Sequence, residues 1–235
     1  MSENGSETIT QEIDTMQKFD TAAPVTAVLD IAAGRVQLIA ADRADATVEV
    51  RPADPAKGRD VKSAEQTTVE YTDGVLRIRT APGGRLVGAA GAVEVTVQLP
   101  AGSSVEARSD SAELRAVGRL GDLAFEGAYR RIKIDEAAGV RLTAIDGDVE
   151  IGRLNGPAEI STNRGDIRIA EAVRGAVVLD TRSGDIAVTA AAGVSAALDA
   201  GTGYGRVDNA LRNDGATGLT IRATTARGDI TARSL

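Results

Sequence analysis

Three aspartates recur behind glycine at a near-constant interval: Gly147-Asp148, Gly165-Asp166 and Gly184-Asp185, with Gly228-Asp229 repeating the pair nearer the C-terminus. On stacked strands such carboxylates would lie about 4.8 Å apart, close enough to share a hard cation. One carboxylate per repeat falls short of the roughly six to eight oxygens calcium takes, and extra glycines that would expose backbone carbonyls are missing. A structural aspartate is therefore expected, with no metal and no cofactor. Arg164-Gly165-Asp166 and Arg227-Gly228-Asp229 also spell the tripeptide that adhesion ligands display. The slot before Gly-Asp holds Asp146, Arg164, Ser183 and Arg227, so the Gly-Asp repeats while the arginine does not. Glycine supplies φ > 0 at a tight corner and aspartate accepts hydrogen bonds from turn amides, which explains every copy as a turn.

Two further sets invite chemistry. Asp180 and Asp199, stacked on one sheet beside Arg222, are the one candidate for carboxylate catalysis on an acidic polysaccharide. Such a site needs two or three carboxylates converging, one with a shifted pKa. Sugar clefts also favour aromatic platforms, and the repeat region holds only Phe125, Tyr129 and Tyr204. Gly201-Thr202-Gly203-Tyr204-Gly205 suggests a dinucleotide loop, but that fingerprint needs a following helix, and Arg206-Val207-Asp208 continues as a strand. The basic run Tyr129-Arg130-Arg131-Ile132-Lys133 has one apolar residue and reads as a solvated face.

Composition narrows the choices. The 235 residues include neither Cys nor His, which excludes disulfides, thiol nucleophiles, imidazole acid–base chemistry and the usual zinc sites. The net charge of −7 argues against a nonspecific grip on nucleic acid or an anionic membrane. Apolar residues make up 43% of the chain but aromatics only 2%, so the core must be Val, Ile, Leu and Ala in thin layers. With neither an apolar leader segment nor a stretch long enough to span a bilayer, no transmembrane segment is expected, and the cytoplasm is the expected compartment.

The elements that would position these residues come from an internal repeat. Leu142 to Gly147, Ile160 to Gly165 and Leu179 to Gly184 are each five residues apart, and each glycine is followed by Asp and then Val or Ile. Weaker copies place Ala112 and Arg130 in the glycine slot, and looser ones place Gly205 and Gly228 there. Each unit holds two short alternating segments, such as Ile167 and Ile169 around Arg168. Period-2 alternation predicts strands with one buried face, and a unit of about 18 residues can enclose a core only by stacking. The fold class expected is all-β: a β-solenoid of about seven two-strand coils over residues 101–235, its like strands forming parallel sheets. Lys133, Glu150 and Arg168 would stack outward with alternating sign, Arg141 would lie beside Glu159, and Arg115 beside Lys133 breaks the pattern.

Residues 19–100 are expected to be an irregular N-terminal β region, with antiparallel pairing, that covers the first solenoid edge. Candidate strands are Ala27–Ile31, Val36–Ile39, Thr47–Arg51, Thr68–Tyr71, Val75–Arg79 and Val93–Leu99, with loops at Arg51–Asp60 and Ala81–Ala92. Residues 1–18 are expected to be a flexible tail, and Met16 is a candidate natural start.

LDTRSGDIAVTAAAGVSAALDAGTGYGRVDNAL, with the opening AVLDIAAGRVQLIAADRADATVEVRPAD, resembles the bacterial DUF4097 β-strand repeat proteins, a family whose members often carry an adhesin label. The likeness runs from about Phe19 to the C-terminus. It implies an envelope-associated or stress-linked module and brings no catalytic residues with it. The function expected is a non-catalytic scaffold or protein-interaction module. The alternatives are a surface adhesin or glycan-binding protein and, third, a polysaccharide-active enzyme. The final strand, Asp229-Ile230-Thr231-Ala232-Arg233, is expected to be an open sheet edge that binds a protein partner or a second copy.

Overall fold

The structure is a computed structural model that describes residues 16–81, 90–127 and 131–235. Residues 1–15 of the expected tail, most of the expected loop at 81–92, and Tyr129 and Arg130 with the glycine slot at 130 lie outside the described residues. Residues 16–18, also expected to be tail, are instead strand paired at residues 47–49.

In chain order the elements are β1 (Met16–Asp20), β2 (Thr26–Ala41), β3 (Asp45–Pro52), α1 (Gly58–Glu65), β4 (Thr68–Thr72), β5 (Val75–Arg79), β6 (Val93–Pro100), β7 (Ser104–Gly127) and β8 (Arg131–Asp146). There follow β9 (Asp148–Leu154), β10 (Ala158–Arg164), β11 (Ile167–Ala172), β12 (Gly175–Ser183), β13 (Ile186–Ala190), β14 (Ala196–Tyr204), β15 (Val207–Ala210), β16 (Leu219–Arg227) and β17 (Ile230–Ser234). The fold is an all-β solenoid. Every candidate N-terminal strand read from the sequence falls inside β2 to β6.

Alternation sets the faces. In β11, Ile167 and Ile169 are buried and Arg168 is exposed, and the same pattern recurs in β10, β12 and β16. Because Val, Ile, Leu and Ala fill these positions, the buried side chains form one continuous cluster from Val25 to Ile230, with Phe125 its one buried aromatic ring among the described residues. Long strands turn the corner between the two sheets. The first half of β2 pairs with β5 and its second half with β6, while β7 runs parallel to it throughout. Coil geometry thus reaches back into the segment expected to be irregular. Gly34 sits at the bend of β2 opposite Ala112, with φ +129°, and a Cβ there would lie 1.9 Å from the Val93 carbonyl oxygen.

One sheet then continues from β8 through β10 to β12, and the other from β8 through β9 and β11 to β13, all parallel. The outward register matches expectation. Lys133 and Arg168 flank Glu150, with the Lys133 Nζ 3.0 Å from it, and Arg141 is 3.7 Å from Glu159. Arg115 does lie beside Lys133, and it turns away to Asp135 at 3.0 Å, which relieves the like-charge contact.

The N-terminal end is closed by different means. β4 is antiparallel to β5, β3 to β6 and β1 to β3, and Phe19 and Tyr71 bring their rings to 5.5 Å. Between β3 in one sheet and β4 in the other runs α1, packed on β3 and β6. Part of the expected loop at Arg51–Asp60 is therefore helix. Asp60 and Ser63 lie on its buried side, and the Asp60 carboxylate accepts the Ala92 N–H at 3.0 Å. A helix this short has little signal of its own and forms because it packs across the open end of the core.

The C-terminal end departs from sequence order. β16 lies between β12 and β14, and β17 between β13 and β15. The coil that is last in the sequence is thus next to last in space, and β14–β15 forms the end of the stack.

Candidate interaction edge

The Gly-Asp corners are built from columns of residues that pack and bond from coil to coil, two through all of them and a third through the later ones. Gly147, Gly165, Gly184, Gly228 and Gly205 stack in that spatial order, and a Cβ on any of the last four would lie 2.0 to 2.1 Å from the carbonyl oxygen of a neighbouring glycine in the column. Backbone crowding, together with positive φ, is what restricts these positions to glycine. The aspartates form the second column. Asp148 accepts the Asp166 N–H at 3.0 Å, Asp166 accepts that of Asp185 at 2.8 Å, and Asp185 accepts that of Asp229 at 2.7 Å. The third column is threonine: Thr181 donates to the Gly165 carbonyl, Thr225 to Gly184 and Thr202 to Gly228. Each aspartate thus spends one carboxylate oxygen on a backbone amide that the bend would otherwise leave unpaired. Among the described residues no group of three or more Asp or Glu is placed to hold a metal ion.

The adhesion-like tripeptides are part of this masonry. The Arg164 guanidinium is bidentate to Asp146, at 2.7 and 3.0 Å, while Asp166 holds the next coil. In the second copy, Asp229 bonds both the Arg206 N–H, at 2.8 Å, and its guanidinium, at 3.0 Å.

Arg206 is where the aspartate column stops. The end coil carries Gly205-Arg206 where the four coils before it carry Gly-Asp, so it presents no carboxylate to a further amide. Inner coils also pass on two amides: Gly184 N–H reaches the Arg227 carbonyl and Ile186 N–H that of Asp229, and likewise Gly228 reaches Tyr204 and Ile230 reaches Arg206. The corresponding Gly205 N–H, Val207 N–H and Gly205 carbonyl at the end coil meet no further coil. Val207, in register with buried Ile230, is 46% exposed, and Tyr204 is 78% exposed. Leu198, Ala200 and Leu211 are half-buried against the core. Asp208 and Asn209 keep the short β15 polar, which discourages indiscriminate pairing.

The expected edge at Asp229, Ile230, Thr231, Ala232 and Arg233 is overturned, because β17 is paired on both sides. Ile230 faces Ile186 on one side and Val207 on the other. The aspartate column runs through this order: Asp185 accepts the Asp229 N–H and Asp229 accepts the Arg206 N–H. Asp180 and Asp199 do not stack either, since β16 separates their strands. Asp199 meets Arg222 at 3.3 Å, and Asp180 faces Thr224. In the basic run, Arg131 and Lys133 both turn to Glu150. Gly201 to Tyr204 belong to β14 and lead into β15, as the strand reading of that segment requires.

A shallow cleft of about 560 Å³ lies elsewhere, on the outer face of the first sheet, where Ala124 and Gly139 leave a trough beside Glu106, Asp122, Arg141 and Glu159. Sequence reading missed it, because a gap on a flat face arises from small residues on adjacent strands.

Asp229 has its pKa held below the ordinary 3.8 by the Arg206 backbone N–H and then by the Arg206 guanidinium. A depressed carboxylate stabilises the fold above its unfolded pKa and loses that contribution as pH falls through the folded value. Asp45, lowered to about 2 by Arg43 and Lys18, and Glu150, lowered chiefly by Lys133, act in the same direction. Thermal midpoints should therefore hold level from neutral pH down to about 5 and then fall with acid. Arg206→Gln should shallow that fall by removing the guanidinium contribution, and an unchanged acid profile in the variant would contradict the assignment.

These features define a class: a β-solenoid of two-strand coils, closed by antiparallel strands and a helix at one end and open at the other. Residues 28–234 match the profile of the DUF4097 family, described as Toastrack, and the chain belongs to that family. Among solved structures it is similar to a "putative cell adhesion protein" from Clostridium sporogenes, at 10% identity and TM-score 0.42, over 94% of this chain and 99% of that one. A "putative adhesin" from Bacteroides fragilis matches at 12% identity and TM-score 0.43, over 92% and 95% of the two chains. No curated protein matches the sequence.

Proposed function

We propose that the chain is a non-catalytic interaction module that works in the cytoplasm and docks a protein partner on the end coil β14–β15. The observation that carries this is the contrast between the two ends. Antiparallel strands and α1 cover one end of the core, whereas the other leaves Val207 and Tyr204 exposed beside amides that meet no further coil. An added strand would satisfy those amides, as in other sheet-edge recognition. The absence of catalysis rests on the carboxylates. Asp180 and Asp199 do not converge, and Asp45, Asp54, Glu150, Asp214 and Asp229 all have lowered pKa values, the reverse of a general acid.

The test places a photo-crosslinking amino acid at Tyr204 and, in a separate chain, at Arg141 in the trough. Cross-links to a discrete protein are expected from position 204. Cross-links from position 141 alone would move the docking surface to the trough. Recovery of the chain in the envelope fraction would replace the cytoplasmic reading with a surface adhesin or glycan binder.

A further inference from the structure

We infer that the protein partner of the end coil is a second copy of this chain, joined end to end about a two-fold axis with the two β14 strands antiparallel. The inference rests on reading β14–β15 as the docking edge. Three observations select the occupant. First, the Gly-Asp corner stops at Arg206: the corner amide of a further coil would find an arginine where the four coils before it supply Asp148, Asp166, Asp185 and Asp229. A head-to-tail filament would lack that contact, whereas an antiparallel pair does not use it. Second, the opposite end of the molecule is made of antiparallel strands with α1 across it, so it presents no coil like those on which β14–β15 stacks. Third, β14 is charged in a self-complementary way. Asp199 lies near its start, Arg206 just beyond its end, and the Gly201-Thr202-Gly203 stretch between them is uncharged.

With Thr202 on the axis, Asp199 of one copy comes opposite Gly205 of the other, next to Arg206, and the contact occurs twice. Gly201 then faces Gly203, and exposed Tyr204 faces Ala200. Both Asp199 and Arg206 have side chains largely in solvent, 75% and 88% exposed, and so are free to reach across while keeping their partners Arg222 and Asp229. An isologous contact of this kind closes on itself and gives a dimer only.

Gly201→Asp tests this without disturbing the single chain, because a Cβ at Gly201 meets nothing within 4 Å and the backbone there has no left-handed φ. It sets carboxylates around the axis of the pair. Light scattering during size exclusion should give wild type at twice the 24.1 kDa chain mass at micromolar concentration. Gly201→Asp should dissociate about tenfold more readily or worse, with an unchanged circular dichroism spectrum. A wild type that stays at one chain mass at all concentrations overturns the inference, as does a Gly201→Asp chain that dimerises as well as wild type. A monomeric wild type that cross-links a different protein from position 204 also overturns it, and leaves the docking edge standing.

Discussion

Ile169→Asp should unfold the middle of the solenoid, at a cost of several kcal/mol that consumes much of a typical domain's stability. Ile169 is 1% exposed in β11, between Ile151 of β9 and Val188 of β13. A carboxylate there would face only aliphatic side chains, with no partner to repay its lost hydration. Its neighbour Arg168 points outward on the same strand, so Arg168→Ala should change stability by no more than about 1 kcal/mol. Urea titrations of the two variants, run together, give the comparison, and equal losses would mean that the strand's faces are misassigned.

Gly165→Ala should be nearly as severe, though it adds one methyl group. A Cβ at Gly165 would lie 2.1 Å from the Gly147 carbonyl oxygen and 2.5 Å from its carbon, and the backbone holds φ at +134°. Neither atom can yield without opening the stack, so a loss of about 3 kcal/mol or more is expected. Gly201→Ala is the natural control, since its Cβ would meet open space. Thermal unfolding of both variants decides the point: comparable midpoints would show that the glycine column is a matter of composition and not of contact.

Much of this architecture is legible in the chain because two signals coincide. Alternation around Arg168 or Arg141 marks the buried face, and Gly-Asp at a regular interval marks the corner. Together they fix strand register from Ile132 to Ile186. Where one signal fails, legibility fails. β2 makes a complete coil, but its Gly34 is followed by Arg35 and lacks the aspartate that would have revealed it. α1 is too short to announce itself and owes its place to tertiary contact. The order of the last two coils leaves one mark in the chain. Gly205-Arg206 reads as another repeat, yet its arginine takes the Asp229 carboxylate through its own amide and offers none to a further coil, a substitution visible in the sequence. The trough beside Ala124 and Gly139 had no such marker, because it depends on which strands become neighbours.

The insertion of β16–β17 between β13 and β15 sets a schedule for the ribosome. Domains built during synthesis tend to fold from the N-terminus, each new element adding to a finished surface. Here the coils up to β13 can be laid down as they emerge, but β14–β15 emerges before the coil on which it rests. It must wait, or stack provisionally on β12–β13 and be displaced when β16–β17 arrives. A provisional stack would set Arg206 above Asp185 and end the aspartate column one coil early. The solenoid can thus grow in sequence order for most of its length, but its end coil cannot take its final place until the later coil has left the tunnel.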